Sequence, residues 1–261
     1  MFERLMEISR KAALAAGKFI DSNLDAIDAD DIQSKGKNDF VTFVDKEAEK
    51  IITEIIKQQF PDHQILAEES GLDRQKSRYL WVIDPLDGTD NFIQGIGHYC
   101  VSIALLEDQN PIFGLIYDPG RQEFFYAYSG KGSYLNGRPI RLEKPVELKS
   151  AFGATAFPFR FHDAVDTYLK ALKDILLQVR DIRRFGSAAL DLAYTACGRY
   201  DFFWEAYLQP WDFMAGLVII QEAGGKISNF QGKALSLQPD SVLAANPAIY
   251  DEIFKIIRLY F

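Results

Sequence analysis

The most informative segment of the chain is WVIDPLDGTDN, which runs from Trp81 to Asn91. The apolar run Tyr79–Ile83 predicts a buried strand that delivers Asp84. Pro85 removes the next ladder hydrogen bond, and Asp87 stands three residues after Asp84. Two carboxylates about 4 Å apart repel by about 4 kcal/mol at an effective dielectric constant of ~20. We therefore expect a cation between them, and oxygen ligands favour Mg²⁺ or Mn²⁺. The alternative is that Asp-Pro and Asp-Gly only form two tight turns.

Two further acidic residues stand at the ends of predicted buried elements. Glu68 follows the short apolar strand Ile65–Ala67, and Asp212 follows Pro210 at the start of an apolar helix. Taken alone, Glu68 is typical of a solvated charge pair and Asp212 is typical of a helix N-terminal cap. Taken together with residues 81–91, they indicate one shared site.

The composition excludes several other classes of protein. The 261 residues include 29 Lys and Arg against 37 Asp and Glu, and a net charge of −8 argues against coating nucleic acid or an anionic membrane. Cys100 and Cys197 are too few for a disulfide framework. The three histidines lie far apart without HExxH spacing, so any metal chemistry falls to carboxylates.

The beginning of the chain predicts no targeting or membrane segment. Residues 1–20 carry charges throughout and have the apolar spacing of an amphipathic helix, whereas a signal peptide needs an unbroken apolar run. No segment approaches the ~18–20 apolar residues of a membrane span. We expect a cytoplasmic protein with no membrane association and no direct nucleic-acid binding.

The rest of the chain divides into a mainly β half and an alternating half. After a polar loop at Asp28–Phe40, Val44–Phe60 predicts a second helix, and residues 60–140 read mostly as strands with a hairpin turn at Asn136-Gly137. Composition changes at residues 141–150. Beyond it we expect helices at Asp163–Val179, Ser187–Tyr200, Trp211–Ala223 and Pro247–Leu259, and strands at Lys226–Ser228 and Val242–Ala245.

Three motifs, LAEES, WVIDPLDGTDNF and PWDFMAGLVIIQEAGG, resemble those of the inositol monophosphatase family in order and separation. The resemblance extends over essentially the whole chain through KGKNDFVTFVDKEAE and FGSAALDLAYTACGRYDFFWE, and it is nearest to the bacterial inositol-1-monophosphatase branch. It implies an α+β or α/β fold, the layered αβαβα sandwich shared with fructose-1,6-bisphosphatases. It also implies a lithium-sensitive homodimer.

The implied function is a phosphoric monoester hydrolase that uses Mg²⁺-activated water on myo-inositol 1-phosphate and similar small phosphorylated polyols. Family relatives that act on fructose 1,6-bisphosphate or 3′-phosphoadenosine 5′-phosphate share the metal residues, so these substrates remain alternatives. Bacterial relatives are also associated with the transcription apparatus, and a binding role with that apparatus is a further alternative.

The resemblance also implies a role for each metal and catalytic residue. Glu68, Asp84 and the Leu86 carbonyl hold one Mg²⁺, while Asp84, Asp87 and Asp212 hold a second. A third, weaker Mg²⁺ sits beside Glu68, and Mn²⁺ is a possible substitute. The backbone N–H groups of Gly88 and Thr89 bind phosphate. The catalytic residues are Asp45, Thr89 and Glu68, of which Thr89 and Asp45 orient and activate the water; Asp45 alone would read as a helix cap.

Substrate contacts follow from the same resemblance. Glu205, Asp87 and Asp212 contact the substrate, and Gly186, Ser187 and Ala188 line the polyol pocket. Ser187 is equally typical of a helix N-terminal cap. Arg183 and Arg184 bind substrate or pair with surface acids, and either Lys35 or Lys37 approaches the metals. We thus predict an N-terminal α+β domain, residues 1–145, with the main metal motif, and a C-terminal α/β domain, residues 146–261, with the substrate pocket and the last metal ligand.

Overall fold

The computed structural model describes residues 2–24, 33–36, 39–238 and 240–261, with residues 33–36 and 39–41 described by their backbone alone. The described helices are α1 Phe2–Ser22, α2 Phe43–Gln59, α3 Thr89–Ile93, α4 Val165–Leu176, α5 Ala188–Ala196, α6 Pro210–Glu222 and α7 Tyr250–Ile257. The described strands are β1 Gln33–Gly36, β2 Asp39–Val41, β3 Gln64–Ala67, β4 Gly71–Leu72, β5 Tyr79–Asp87, β6 Cys100–Glu107, β7 Asn110–Asp118, β8 Glu123–Tyr128, β9 Ser133–Leu135, β10 Arg138–Ile140, β11 Phe152–Thr155, β12 Asp181–Arg183, β13 Phe202–Leu208, β14 Lys226–Ser228 and β15 Asp240–Ala245.

Two large mixed sheets alternate with three layers of helices, which confirms the predicted αβαβα sandwich. The eight-stranded sheet has the order β10-β9-β8-β7-β6-β5-β3-β4, and the five-stranded sheet has the order β12-β11-β13-β15-β14. Helices α1 and α2 cover the outer face of the first sheet. Helices α5 and α6 lie between the sheets, and α4 and α7 cover the outer face of the second.

The apolar pattern of the strands explains this layering. In β5, Trp81 and Ile83 pack against α1 and α2, while Val82 between them packs into the central layer. In β13, Trp204 packs outward against α4 and α7, while Phe203 packs inward. Because both faces of each sheet are covered, these strands read as continuous apolar runs rather than alternating ones.

The central helix α6 is apolar around nearly its whole circumference, as a helix between two sheets requires. It also approaches β7 very closely. A Cβ atom on Gly114 would lie 2.3 Å from the carbonyl oxygen of Ala215, so only glycine allows this contact.

Several predicted boundaries were wrong, and the most consequential is that of β5. The strand does not stop at Ile83 but continues to Asp87, with its register shifted between Asp84, opposite Ser102, and Asp87, opposite Cys100. Pro85 therefore produces a bulge in a continuing strand rather than its end. The bulge leaves both aspartates on one buried strand.

The other corrections concern short elements. The predicted loop Asp28–Phe40 contains β1 and the first two residues of β2, which pair antiparallel, and its remaining residues lie outside the described part of the chain. The helix predicted at Asp163–Val179 is a 3₁₀ turn, His162–Ala164, followed by α4. Strands β11, β12 and β13 were not predicted. The predicted Asn136-Gly137 turn is confirmed, because both residues have positive φ between β9 and β10.

The eight-stranded sheet ends at Ile140 and the five-stranded sheet begins at Phe152, on either side of the predicted boundary near residue 145. The central helices pack against both sheets, so the division into two domains stays a prediction. Among the described helices, none combines the length and apolar character that crossing a membrane requires.

Candidate active site

A cavity of about 290 Å³ opens where β5, α3, α5, α6 and β13 meet. Most of the residues that sequence analysis proposed for the site line it: Glu68, Asp84, Leu86, Asp87, Gly88, Thr89, Gly186, Ala188, Glu205 and Asp212. Asp45 and Ser187 do not line the cavity themselves; both are buried and form hydrogen bonds with lining residues.

Three carboxylates form the centre of this cavity. Asp84, Asp87 and Asp212 each offer one oxygen, and these oxygens lie within 4.8 Å of one another. Burial raises the pKa of Asp84 well above its usual value, and the charges of Glu68, Asp87 and Asp212 raise it further. The pKa of Asp212 is raised for the same reasons, by burial first and then by Asp87. Ionising this cluster at neutral pH therefore requires a compensating cation.

The donor set fits Mg²⁺ or Mn²⁺. Mg²⁺ bonds oxygen at about 2.1 Å, so two ligand atoms on opposite sides of one ion lie about 4.2 Å apart. The Asp84, Asp87 and Asp212 oxygens lie within 4.8 Å of one another, so they are grouped on the scale of a single ion. All the ligand atoms are hard carboxylate oxygens, which favour Mg²⁺ or Mn²⁺ over softer metals.

Asp87 is held by the beginning of α5. Its Oδ2 accepts hydrogen bonds from Ser187 Oγ at 2.5 Å and from the Ala189 backbone N–H at 2.8 Å. Ser187 is also the N-terminal cap of α5, and it is only 1% exposed. Its hydroxyl therefore contacts Asp87 rather than the open cavity, and one oxygen of Asp87 remains for a metal.

Asp45 serves as both a cap and a partner of Thr89. Its Oδ2 accepts hydrogen bonds from Thr42 N–H at 2.8 Å and from Thr42 Oγ1 at 2.7 Å, which caps α2. Its Oδ1 lies 2.9 Å from Thr89 Oγ1. That hydroxyl also lies 3.0 Å from the Leu86 carbonyl oxygen, but it has a single proton. Donation to the carboxylate is the stronger bond.

Asp212 likewise combines a structural and a site role. Its Oδ2 accepts a hydrogen bond of 2.7 Å from Gln209 N–H at the start of α6, which uses only one carboxylate oxygen. Gly88 is the N-terminal cap of α3 and has φ of 98°. A Cβ atom there would lie 2.8 Å from the His98 carbonyl oxygen, so glycine is required at this turn.

Another part of the cavity wall carries Glu205 and a cationic, aromatic segment. Burial, aided by the charges of Asp191 and Asp87, raises the pKa of Glu205 to about 8, while Arg184 and Arg160 oppose the shift. Arg184 lines the cavity, and its guanidinium lies 5.6 Å from the centre of the Phe159 ring.

The two neighbouring arginines have different surroundings. Arg183 is not a lining residue, and it forms an ion pair of 2.6 Å with Asp181. The sequence left two alternatives for these arginines, substrate binding or an ion pair with a surface acid. Arg183 fits the ion pair, and the position of Arg184 at the cavity fits substrate binding. The side chain of Lys35 and the whole of Lys37 lie outside the described residues, so the expectation for these lysines stays a prediction.

Sequence reasoning missed part of the wall and one connecting residue. The segment Phe157–Phe161 and Tyr207 line the cavity, although the run FPFRF gave a signal for an aromatic, basic surface. Asn91 Nδ2 donates to the carbonyl oxygens of His98 and Phe185, each at 2.8 Å. It thereby ties α3 to the segment that precedes α5.

The sequence and the fold are similar to those of known proteins. The family model described as the inositol monophosphatase family matches residues 1–259. The chain is 42% identical to the Nus factor SuhB of Escherichia coli K12, over 97% of this chain and 96% of the relative. It is 37% identical to the fructose-1,6-bisphosphatase/inositol-1-monophosphatase of Aquifex aeolicus, over 99% and 97%. The crystal structure of SuhB from Bartonella henselae superposes with a TM-score of 0.92 at 35% identity and covers 98% of both chains.

Proposed function

Because the chain belongs to the inositol monophosphatase family, we propose that it is a Mg²⁺-dependent phosphatase of myo-inositol 1-phosphate and related small phosphate monoesters. One observation carries the proposal. Three buried carboxylates offer oxygens within 4.8 Å of one another in a cavity that also contains the hydroxyl of Thr89, which is bonded to Asp45.

We assign the metal ligands as follows. Glu68, Asp84 and the Leu86 carbonyl hold one Mg²⁺, and Asp84, Asp87 and Asp212 hold a second. The charges support this number, because four carboxylates sum to −4 and two Mg²⁺ ions balance them. A phosphate monoester adds about −2, which a third ion beside Glu68 balances. When bound, Mg²⁺ lowers the pKa of water and neutralises the charge that develops on the phosphate.

The residues of the chain orient the water and the phosphate. With its proton donated to Asp45, the Thr89 hydroxyl offers a lone pair to the attacking water and holds it in line with phosphorus. As the water attacks, its proton passes to Thr89 Oγ1 and the Thr89 proton passes to Oδ1 of Asp45, while Oδ2 of Asp45 keeps α2 capped. The backbone N–H groups of Gly88 and Thr89 bind phosphate oxygens at the start of α3.

The part of the cavity wall that carries Glu205 selects the alcohol part of the substrate. Glu205 forms a hydrogen bond with a hydroxyl group, and Gly186 and Ala188 leave room for a saturated ring. A cavity of about 290 Å³ is at the small end of the ~300–1,000 Å³ range of ligand pockets. This size favours a polyol or sugar phosphate over a nucleotide such as 3′-phosphoadenosine 5′-phosphate.

The test is a comparison of kcat/KM for phosphate release from three substrates, with and without Mg²⁺. We expect myo-inositol 1-phosphate to be the best of the three. Fructose 1,6-bisphosphate is the second candidate, because the Aquifex relative carries both activities in its name. No phosphate release from any of the three at millimolar Mg²⁺ contradicts the proposal.

A binding role is a separate candidate, and the name of the Escherichia coli relative, a Nus factor, favours it. We propose that the chain forms a homodimer and has a protein partner in the transcription apparatus. Light scattering of the purified chain tests the dimer. Binding of purified transcription elongation proteins to the catalytically silent Asp87→Asn variant tests the partner without interference from turnover.

A further inference from the structure

Glu49 is a buried carboxylate that the assigned roles do not use. It lies on α2 one helical turn after Asp45, so the two side chains leave the same side of the helix. Glu49 is 5% exposed. Its Oε2 accepts a hydrogen bond of 2.7 Å from the backbone N–H of Glu69, and its Oε1 accepts one of 3.0 Å from the N–H of Ser70.

These two bonds complete a clamp around Glu68. On the other side, the backbone N–H of Glu68 donates to the carbonyl oxygen of Ile83 at 3.1 Å. Ile83 directly precedes Asp84 on β5. The backbone of Glu68 is therefore held on one side by the strand that carries Asp84 and on the other side by Glu49.

Satisfying two N–H groups does not by itself require a buried carboxylate. Ser70 is exposed and Glu69 is half-buried, so water can reach this turn, whereas burying a charge is costly. A carboxylate accepts two N–H groups at once and presents no donor, which fixes the turn in one position. The cost of burying the Glu49 carboxylate therefore indicates that the site depends on the position of the turn at Glu68.

We propose that Glu49 is a positioning residue for the metal site, holding the Glu68 turn at the distance from Asp84 at which both carboxylates ligate the same Mg²⁺. The inference rests on the proposed function, because that function assigns Glu68 as a ligand. Helix α2 then positions two residues of the site. Asp45 accepts the hydrogen bond of Thr89, and Glu49 holds the turn that contains Glu68.

The test is Mg²⁺ binding by calorimetry to the full chain after chelator treatment, followed by phosphate release at increasing Mg²⁺. In Glu49→Gln an amide group replaces one acceptor oxygen and faces a backbone N–H. We expect the Kd for Mg²⁺ to rise by about 10- to 100-fold, the scale of losing a group that orients a metal ligand. Because the ligands themselves remain, kcat recovers at saturating Mg²⁺.

Two variants calibrate this result. Glu49→Asp keeps both acceptor oxygens on a shorter side chain and should give an intermediate Kd. Glu47→Gln changes an exposed residue of the same helix, which pairs with Lys50, and should leave the Kd unchanged.

The outcomes separate the inference from the proposed function. Failure of the unaltered chain to bind Mg²⁺ removes the proposed function and the inference with it. Normal Mg²⁺ binding by Glu49→Gln overturns the inference alone, even if the chelator-treated variant melts at a lower temperature. If Glu49→Gln does not fold, an unchanged Kd in Glu49→Asp overturns it.

Discussion

The two ends of the cavity are built in different ways. At the metal end, Asp87 and Asp212 each spend one oxygen on backbone N–H groups at the start of a helix, and Asp84 accepts from Leu86 N–H at 2.9 Å. At the substrate end, the loop segment Phe157–Phe161 and the half-buried Glu205 form the wall. Asp84, Asp87 and Asp212 of the metal end lie on β5 and α6, whereas the substrate end includes a loop, where variation is tolerated.

This difference predicts that changes at the metal end abolish chemistry and that changes at the substrate end redirect it. The largest effect is expected for Asp87→Asn. The variant removes one charge from the three carboxylates assigned to the second Mg²⁺, so activity should fall by at least ~100-fold. The measurement is kcat/KM for myo-inositol 1-phosphate at saturating Mg²⁺. Asp251→Asn, on the surface beside Lys226, is the control. Retention of more than half the activity would remove Asp87 from the site.

At the substrate end, Glu205→Ala should separate substrates. Losing the hydrogen bond from Glu205 and leaving a substrate hydroxyl unpaired in the cavity costs about 1–3 kcal/mol, or roughly 5- to 150-fold in kcat/KM for the polyol phosphate. p-Nitrophenyl phosphate, whose leaving group has no such hydroxyl, should be affected much less. Glu143→Ala, on an exposed side chain, controls for nonspecific loss. Equal losses of kcat/KM on both substrates would mean that Glu205 acts on the metal ions or on folding rather than on the substrate hydroxyl.

The same contrast explains what sequence reasoning found. Asp84 and Asp212 stand at the ends of apolar segments, so their position could be read from the sequence before any fold was known. The bond between Asp87 and Ser187 joins residues 100 positions apart, and only the tertiary fold brings the beginning of α5 to the end of β5. Spacing along the chain carries no signal for such a contact.

The missed features share a physical cause. Glu49 reads as an ordinary exposed charge in EAEK, because sequence does not reveal that a turn from another element docks beside it. The segment Phe157–Phe161 lies between β11 and α4 without periodicity, so neither a strand nor a helix pattern indicated where its aromatic rings go. Helices and strands with a periodic apolar pattern could be predicted from the sequence, whereas the Phe157–Phe161 part of the cavity wall could not.

A third prediction compares the metal end with and without its ions. Chelator leaves the Asp84, Asp87 and Asp212 charges to repel one another, and Mg²⁺ at a hundredfold excess over Kd should stabilise the chain by about 2.7 kcal/mol. For a chain of this size the melting temperature should rise by about 5 to 10 °C. Li⁺ carries half the charge and should stabilise less.

The Li⁺ measurement also tests the family resemblance. If Li⁺ occupies the second metal position after turnover and retains product phosphate, inhibition should deepen as the substrate concentration increases. Thermal melts with chelator, Mg²⁺ and Li⁺, run beside Li⁺ inhibition at several substrate concentrations, provide the data. A melt that millimolar Mg²⁺ does not change would show that the carboxylates do not form one metal site.

The smallest expected effect concerns the pH dependence of stability in chelator, and it arises at the substrate end. Burial raises the pKa of Glu205 from 4.5 to about 8 in the folded chain. Between these values the folded state binds more protons than the unfolded state, so the stabilisation is complete below pH 4.5 and is lost as the pH rises through 8. The melting temperature should therefore fall from pH 5 to pH 8.5.

Glu205→Gln cannot ionise, so its fall should be shallower, by about 2 to 4 °C over the window, equivalent to ~1 kcal/mol. Asp251→Asn should follow the unaltered chain. Because Asp84 and Asp212 also have raised pKa values, some slope should persist in Glu205→Gln. Parallel curves for the variant and the unaltered chain would mean that the pKa of Glu205 is not raised in the folded state, because Arg184 and Arg160 offset the effect of burial.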